Sequence, residues 1–237
     1  RKKTEKHYVE NISDVNEETF YKVMLAKKWE DYKDKLEFPL FYNDKLDGVR
    51  YVSRKGGGHS RNGKPMGGMF LVDKDLERFF TAYVDAILDG EAFSDEFRSD
   101  FQKLIKMVKR DRDKIDDEMM EMIDKYLEYH IYDVPRIDGL TEEDPYIDRV
   151  TRFKEIIDEE FPELWGRIKF VEPRVIHNEE ELDKLFNRSL SVGYEGGIVR
   201  FNGPYENKRS KFLLKVKRFM DDEFEIVGVL EGRGSKA

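Results

Sequence analysis

Short strand-like runs and amphipathic helical stretches alternate along almost the whole chain, and this alternation constrains the fold more than any other sequence feature. Aromatic and aliphatic residues cluster in short runs, as at residues 38–46, which is typical of a buried strand. Elsewhere apolar residues recur at spacings of three and four, as at residues 73–85, which is typical of a helix with one buried face. No repeat or low-complexity linker interrupts the 237 residues. A chain of this length buries roughly 70 to 75% of its unfolded surface as one large domain, so the sequence predicts a single domain that mixes helices and sheets.

The same patterns predict an order of elements. Strands are expected at residues 38–46, 49–53, 59–62, 86–93, 129–134, 168–176, 197–201, 212–219 and 223–230. Helices are expected at residues 18–28, 73–85, 145–160 and 178–192, with two further helical patterns between residues 100 and 126. Asn178 is the expected N-cap of the last helix, with Glu181 at the capping-box position and Gly193 at the end. The glycines at residues 56–58 suit a turn that needs positive φ.

Composition excludes several kinds of protein and site. Cysteine is absent, so the chain has neither a disulfide scaffold nor a thiolate metal site, and any catalytic nucleophile must be another residue type. No apolar run approaches the roughly 20 residues that a membrane-spanning helix needs, and the polar start lacks the apolar region of a secretory signal. We therefore expect an intracellular protein without a membrane partner. The chain begins with Arg and ends soon after a strand-like run, so we expect both ends to be cuts in a longer protein.

Charge is unevenly distributed along the sequence. The formal net charge of −8 argues against a uniformly basic nucleic-acid binder, because phosphate contacts need Lys and Arg facing the backbone. Residues 51–72 and 207–220 nevertheless contain basic residues and no carboxylate, whereas residues 111–128 are strongly acidic. Such runs are usually solvated surface. The basic runs gain functional meaning only where they flank a site.

The first candidate for chemistry is the hexapeptide Lys-Leu-Asp-Gly-Val-Arg at residues 45–50. A lysine amine is a nucleophile only when it is unprotonated, and burial or nearby cations favour that form. Taken alone, the pattern K-x-D-G-x-R is a moderate signal, since a surface turn with a salt bridge has the same residues. Its meaning depends on the motifs that accompany it.

Further motifs follow in a fixed order, and that order is more informative than any one of them. They are Ser60-Arg61-Asn62-Gly63, Leu88-Asp89-Gly90-Glu91, Tyr132-Asp133, Glu195-Gly196-Gly197-Ile198-Val199-Arg200 and Leu213-Leu214-Lys215-Val216-Lys217. With the lysine hexapeptide, the set resembles the nucleotidyltransferase motifs of the ATP-dependent DNA ligases. The resemblance covers the chain from about residue 25 to the end, and the stretches between the motifs are similar to those of compact viral and bacteriophage ligases.

The resemblance implies an α+β fold of the ATP-grasp-like kind, in which twisted antiparallel sheets flanked by helices hold the nucleotide in a cleft. It implies that Lys45 carries AMP in a phosphoramide bond. Asn43 would lie where relatives read the adenine amino group, and Asp47 and Arg50 would lie beside the ribose and the nick. Many relatives have Glu in place of Asn43. An Asn both donates and accepts hydrogen bonds, so it suits adenine without excluding other bases.

Other motif residues acquire roles by the same resemblance. Arg61 matches the arginine that grips the 5′-phosphate of the nick, and a guanidinium can hold a phosphate with two parallel hydrogen bonds. Glu91 matches an acid that contacts the ribose, and Tyr132 matches an aromatic ring that stacks on the purine. Glu195 and Asp89 are the expected ligands of a divalent cation.

Lys215 and Lys217 are the expected contacts of the α-phosphate. Residues two apart on a strand point to the same face, so both side chains can reach one phosphate. Phosphoryl transfer needs cations that neutralise the transferred group and the leaving group. The resemblance implies ATP and Mg²⁺ (or Mn²⁺) as cofactors, and the hard, octahedral Mg²⁺ suits phosphate and carboxylate oxygens.

The sequence therefore predicts an ATP-dependent DNA ligase that forms lysyl-AMP, passes AMP to the DNA 5′-phosphate and seals the strand as the 3′-hydroxyl displaces AMP. The expected partner is nicked duplex DNA, and the expected state is a monomer. We expect an unassigned segment at residues 1–24, a nucleotidyltransferase domain at 25–221 and the start of an OB-fold domain at 222–237, the rest of which is missing.

Two kinds of alternative remain open at this point. RNA ligases and mRNA guanylyltransferases share the lysine motifs, and GTP rather than ATP would label Lys45 in a guanylyltransferase. A catalytically inactive relative that only binds nucleic acid belongs to a different class. The presence of Lys45, Glu195, Lys215 and Lys217 together argues against it, because a binding role does not need that set.

Overall fold

The strands of residues 20–217, the part of the chain that the computed structural model describes, form two five-stranded sheets. The strands are β1 (Leu25–Lys28), β2 (Leu40–Lys45), β3 (Val49–Arg54), β4 (His59–Ser60), β5 (Ile87–Phe93), β6 (Glu128–Arg136), β7 (Ile168–Phe170), β8 (Arg174–Ile176), β9 (Gly196–Arg200) and β10 (Arg209–Val216). Sheet A has the order β1-β10-β9-β2-β8, and sheet B has the order β4-β3-β5-β6-β7. Since β2 and β3 belong to different sheets, the lysine hexapeptide crosses from one sheet to the other.

Most strand pairs are antiparallel, as the resemblance implies, but each sheet has a parallel pair at one edge. β1 runs parallel to β10 at the edge of sheet A. β7 runs parallel to β6 at the edge of sheet B. A parallel pair requires a long crossover connection, and both pairs join segments that are far apart in the sequence. The twisted, mainly antiparallel sheets that the resemblance implies are therefore present, and each carries one parallel pair at an edge.

Helices cover the two sheets and confirm most of the predicted helical stretches. They are α1 (Phe70–Ala82), α2 (Phe101–Val108), α3 (Asp117–Tyr126), α4 (Tyr146–Glu160) and α5 (Glu179–Ser191). The first four contribute to the larger hydrophobic core with sheet B, in which Leu76, Phe79 and Phe153 are fully buried. Helix α5 packs on sheet A through Leu182 and Phe186. The fold thus has one helical cover for each sheet and leaves the junction between the sheets for a site.

The predicted N-cap of α5 is confirmed in its atomic contacts. The Asn178 side chain accepts a hydrogen bond from the Glu181 backbone N–H at 2.9 Å. The Glu181 carboxylate accepts from the backbone N–H of His177 at 2.9 Å, one residue before the cap. Gly193 follows the helix with a φ of +86°, a conformation that glycine adopts without strain. The contacts of Asn178 and Glu181 fix the start of α5. Gly193 marks its end and the start of the loop that leads to Glu195.

Two predicted elements are wrong in the described residues. The helix predicted at residues 18–28 is replaced over residues 25–28 by β1, because the backbone there pairs with the distant β10. The run at 168–176 is two strands in different sheets. Pro173 lies between them and has no N–H to donate to a ladder, while the N–H of Val171 donates to Ile131 at 2.8 Å. The chain therefore changes sheet a second time at this point.

Some predictions lie outside residues 20–217. They are the strand at 223–230, the OB-fold start at 222–237 and most of the segment at 1–24. Within the described range, none of the helices combines the length and apolar character needed to cross a membrane.

Candidate active site

A pocket of about 320 Å³ lies where sheets A and B meet, and both sheets contribute to its lining. The predicted site residues that line it are Asn43, Lys45, Arg50, Arg61, Glu91, Tyr132 and Lys215. Glu195 and Lys217 lie next to it through their contacts with Lys45 and with each other. The structure thus brings together side chains from β2, β3, β5, β6 and β10. We call this pocket the nucleotide cleft, after the ligand that the sequence predicts for it.

Lys45 and Lys217 both form ion pairs with Glu195. The strand register places them there: Lys45 ends β2 and pairs with Gly196 of β9, directly after Glu195. The backbone N–H of Glu195 also donates to the Lys45 carbonyl at 3.4 Å. Partial burial raises the pKa of the Glu195 carboxyl, but hydrogen bonds from Lys217 and Lys45 outweigh it and hold that pKa below its ordinary value. Glu195 is therefore an ionised carboxylate that gathers two lysines at one point.

Glycine is required at two points beside these residues because backbones approach closely. Gly196 has a φ of +151°, and a Cβ there would lie 2.4 Å from the Val216 carbonyl oxygen of β10. At Gly48 a Cβ would lie 2.4 Å from the Ala92 carbonyl oxygen of β5. A side chain at either position would separate strands that hold the site together. The glycines of the two motifs are thus explained by packing around Lys45 and Glu195.

Glu91 and Tyr132 form the wall that sheet B contributes. The Tyr132 hydroxyl lies 3.4 Å from a Glu91 oxygen. Burial raises the pKa of Glu91 to about 7, although the positive charges of Arg50 and Lys45 act in the opposite direction. The Arg50 guanidinium lies over the Tyr132 ring, 5.3 Å from its centroid. This wall therefore offers the aromatic surface of Tyr132, a carboxyl group with a pKa of about 7 and the guanidinium of Arg50.

The structure does not place Asp89 where a metal ion could reach it. Asp89 is fully buried. Its oxygens accept hydrogen bonds from Arg50, one of them at 2.7 Å, and from the Tyr205 hydroxyl at 2.6 Å. Because Asp89 is fully buried, a metal ion in the cleft cannot reach it in this structure, and the metal role predicted for it has no structural support. Asp89 instead holds Arg50 in position behind the cleft.

The other predicted residues differ in how closely they approach the cleft. Asn43 is buried, and its amide N–H donates to the Val171 carbonyl at 3.1 Å, which turns its oxygen away from that carbonyl. Arg61 is exposed and lines the cleft from the turn after β4. Asp47 is exposed in the connection between β2 and β3 and does not line the pocket. The fold therefore leaves the predicted ribose role of Asp47 without structural support.

Several lining residues were not singled out from the sequence. Ile198 and Arg200 lie on β9, and Arg209 lies on β10. Ile198 and Arg200 stand two apart within a motif that had already been recognised. Because residues two apart on a strand point to the same face, the strand period could have predicted that both side chains face the cleft. Arg209 lies outside the motifs, and only the sheet order brings it to the cleft.

Residues 23–217 match the family described as the ATP dependent DNA ligase domain. The chain belongs to this family. The match spans nearly all of the described residues and both sheets. The family description names ATP as the nucleotide on which its members depend.

Individual ligases resemble the chain in sequence and in fold. The DNA ligase of Thermococcus fumicolans is 34% identical over 125 residues, which is 51% of this chain and 21% of that protein. The DNA ligase of African swine fever virus is 41% identical over 71 residues, 28% of this chain and 17% of the viral protein. The crystal structure of Chlorella virus DNA ligase-adenylate superposes with a TM-score of 0.66 at 26% identity, covering 83% of this chain and 67% of that one. The chain therefore spans well under a third of the length of these two curated relatives.

One carboxylate of the ligase-family cleft, that of Glu195, fits a magnesium ion that is shared with a nucleotide. Among residues 20–217, no group of three or more His, Cys, Asp or Glu is arranged to hold a metal by itself. Mg²⁺ is usually bound through one or two carboxylates together with substrate phosphates and water. Glu195 meets that requirement, because its side chain is 35% exposed beside both lysines. Asp89 does not.

The raised pKa of Glu91 predicts how stability depends on pH. The pKa of Glu91 is about 7 in the folded protein, so its proton is kept to about that pH, whereas an unfolded chain releases it near the ordinary glutamate pKa of 4.5. Stability contributed by the neutral form is therefore present below pH 4.5 and is lost as the pH rises through 7. Glu91→Gln removes this loss, which at pH 8 amounts to at most about 3 kcal/mol because the side chain is partly exposed to water.

Urea unfolding of the wild type and Glu91→Gln at pH 5 and pH 8 measures this difference. We expect the free energy of unfolding of Glu91→Gln, measured relative to that of the wild type, to be higher at pH 8 than at pH 5. Parallel pH dependences would contradict the raised pKa of the partly buried Glu91 carboxyl.

Proposed function

We propose that the chain is the adenylyl-transfer part of an ATP-dependent DNA ligase and that Lys45 is the residue that becomes bonded to AMP. The single observation that carries the proposal is the position of Lys45. It lines the nucleotide cleft and at the same time shares the Glu195 carboxylate with Lys217. A nucleophile, a phosphate-neutralising cation and a metal-binding carboxylate therefore meet at one point of a nucleotide-sized pocket.

Nucleotide binding is supported by the shape and chemistry of the cleft. The Tyr132 ring and Ile198 line it and offer surfaces for a purine. The Asn43 amide N–H donates to the Val171 carbonyl. Its oxygen already accepts from the Tyr146 hydroxyl at 3.5 Å and has a second lone pair that can accept from an adenine amino group. Glu91 lies close to the Tyr132 hydroxyl and is placed to contact ribose hydroxyls.

The covalent step follows from the arrangement of the lysines. Lys45 must first lose its proton and its contact with Glu195, because only the neutral amine attacks. Its Nζ then forms a bond to the α-phosphorus, the bond to the bridging oxygen breaks, and that electron pair leaves with pyrophosphate. The nitrogen releases one proton to solvent. Lys215 and Lys217 neutralise charge on the transferred group. A magnesium ion held by Glu195, when bound, would neutralise phosphate charge further.

Transfer to DNA is the later part of the proposal. Arg61 is exposed at the mouth of the cleft on a segment with basic neighbours and no carboxylate, which suits a DNA 5′-phosphate. The phosphate oxygen would attack the lysyl-AMP and release Lys45, and the adjacent 3′-hydroxyl would then displace AMP. Nicked duplex DNA is the proposed substrate, in agreement with the family.

Intact-mass spectrometry tests the proposal directly. The chain is mixed with Mg²⁺ and either ATP or GTP, and any adduct is located by peptide mapping. We expect a gain equal to one adenylyl group (AMP less one water) on Lys45 with ATP and none with GTP. A GMP adduct would transfer the protein to the guanylyltransferases, and an adduct on another lysine would contradict the role of Lys45. Nicked DNA with a pre-adenylated 5′-end then tests sealing separately from nucleotide use.

A further inference from the structure

A second pocket, of about 480 Å³, opens beside the nucleotide cleft and is lined mainly by cations. Its lining residues are Lys27, Lys28, Asp31, Tyr32, Lys35, Arg209 and Lys215. We call it the basic pocket, since five of its side chains are basic and one is acidic. Arg209 and Lys215 also line the nucleotide cleft. The two cavities therefore share a wall.

The edge of sheet A builds the basic pocket. β1 pairs in parallel with β10, and this register places Lys28 next to Lys215. Two 3₁₀ turns follow β1, at Trp29–Asp31 and Lys33–Lys35. The Trp29 side chain is buried in the core of sheet A and anchors the first turn. Lys27, Lys28 and Lys35 therefore lie on β1 and the anchored turns that follow it. Arg209 and Lys215 lie on β10 on the other side of the pocket.

The cations of the basic pocket lack carboxylate partners. Among residues 20–217, none of the five basic side chains forms an ion pair with Asp or Glu. Lys27 donates instead to the Tyr32 hydroxyl at 2.5 Å, and Arg209 donates to the Ala26 carbonyl at 2.6 Å. Neighbouring lysines differ: Lys217 pairs with Glu195, and Lys33 pairs with Glu30. A group of unpaired like charges repels itself and attracts an anion.

We propose that the basic pocket binds the β- and γ-phosphates of ATP before transfer and the leaving pyrophosphate after it. This inference rests on the proposed function, because it assumes that an α-phosphate lies at Lys45. Lys215 then stands between the two cavities, and a triphosphate that extends past it enters the basic pocket. Pyrophosphate carries several negative charges in a small volume, which matches a cluster of lysines better than a single ion pair does.

The test compares the double variant Lys28→Ala/Lys35→Ala with the wild type. Lys33→Ala is the matched control, because Lys33 lies in the same 3₁₀ turn as Lys35 but does not line the pocket. Isothermal titration calorimetry with inorganic pyrophosphate measures binding without any reaction. Mass spectrometry measures adduct formation against ATP concentration and the loss of AMP from preformed adduct when pyrophosphate is added. Transfer of AMP from the adduct to nicked DNA is measured as well.

We expect the double variant to weaken pyrophosphate binding, and to raise the ATP concentration for half-maximal adduct formation, by at least about tenfold. Lys33→Ala should stay near the wild type, and transfer to nicked DNA should be unchanged because no pyrophosphate takes part in it. Equal pyrophosphate affinity in the double variant and the control would overturn the proposal. Loss of nicked-DNA affinity with intact pyrophosphate binding would also overturn it and assign the pocket to the DNA backbone. A wild type without adduct would refute the proposed function, and calorimetry would still decide whether the pocket binds pyrophosphate.

Discussion

Lys45→Arg is expected to eliminate the AMP adduct while leaving the protein folded. Arginine keeps a positive charge beside Glu195, so an ion pair with that carboxylate replaces the one that Lys45 makes. A guanidinium stays protonated at all working pH values and supplies no nucleophilic lone pair. Adduct formation should therefore fall by at least about a thousandfold, to below detection by intact-mass spectrometry. Lys45→Ala should lose the adduct equally, and it additionally leaves Glu195 with one cation in place of two.

Two controls make this result specific to the covalent step. Lys33→Ala removes a lysine that is paired with Glu30 outside the cleft, and it should form the adduct like the wild type. Lys45→Arg should still seal nicked DNA that carries a pre-adenylated 5′-end, because that step needs no lysyl-AMP. An adduct that persists in Lys45→Arg would show that another lysine is the nucleophile. Loss of thermal stability in that variant would show that the missing adduct reflects unfolding.

Much of the architecture followed from local patterns. Helix α4 was predicted within one residue of its observed start, because its apolar residues recur at helical spacing and Pro145 precedes it. The cap of α5 was predicted from Asn178 and Glu181 alone. Elements with a strong internal period, or with a local hydrogen bond at their end, do not depend on distant partners. Such elements can be predicted from the sequence.

Elements that depend on distant partners were predicted less well. Residues 25–28 have no pattern that identifies them as a strand, since the hydrogen bonds that order β1 come from β10. The same limit applies within the site. Glu195 contacts Lys45 across 150 positions of the sequence; the resemblance placed both residues in one site, but it did not predict that they contact each other. The basic pocket was missed because it combines residues 27–35 with Arg209 and Lys215, which only the parallel edge of sheet A brings together.

Burial was the other property that the sequence did not reveal. Asp89 and Glu91 stand two apart in one motif, and both were predicted to contact ligands. The structure encloses Asp89 completely, whereas Glu91 remains partly exposed at the cleft. The difference arises from Arg50 on β3 and Tyr205 in the connection between β9 and β10, which both donate hydrogen bonds to Asp89. A motif states which residues are present, and the packing around each one decides which of them reach the ligand.

Asp133→Ala is expected to destabilise the protein more than any other single substitution of an ion pair in residues 20–217. Asp133 lies on β6 of sheet B and is buried. One of its oxygens lies 3.0 Å from the Arg149 guanidinium of α4, and the other lies 2.6 Å from the Arg200 guanidinium of sheet A. A single carboxylate thus joins both sheets and a helix behind the nucleotide cleft.

Removal of that carboxylate leaves two guanidinium groups buried without a counterion. Breaking a buried ion pair costs about 3–5 kcal/mol, because the remaining charge is not solvated. Arg149 keeps backbone partners, including the Val134 carbonyl at 3.0 Å. Arg200 has fewer alternatives, since its Nε already lacks a hydrogen-bond partner among the described residues. The substitution should therefore mainly weaken the contact between sheets A and B that Arg200 makes with Asp133. Adduct formation should decrease together with the free energy of unfolding.

Urea denaturation of Asp133→Ala against Glu163→Ala measures the effect with a matched control. Glu163 pairs with Arg78 at 2.8 Å, but both side chains are more than half exposed, at 54% and 74%. Water and salt screen such a pair, so its removal should cost at most about 1 kcal/mol. If Asp133→Ala cost no more than Glu163→Ala, the two arginines would have to be solvated in the folded protein, and the carboxylate would not be what holds sheet A against sheet B at the cleft.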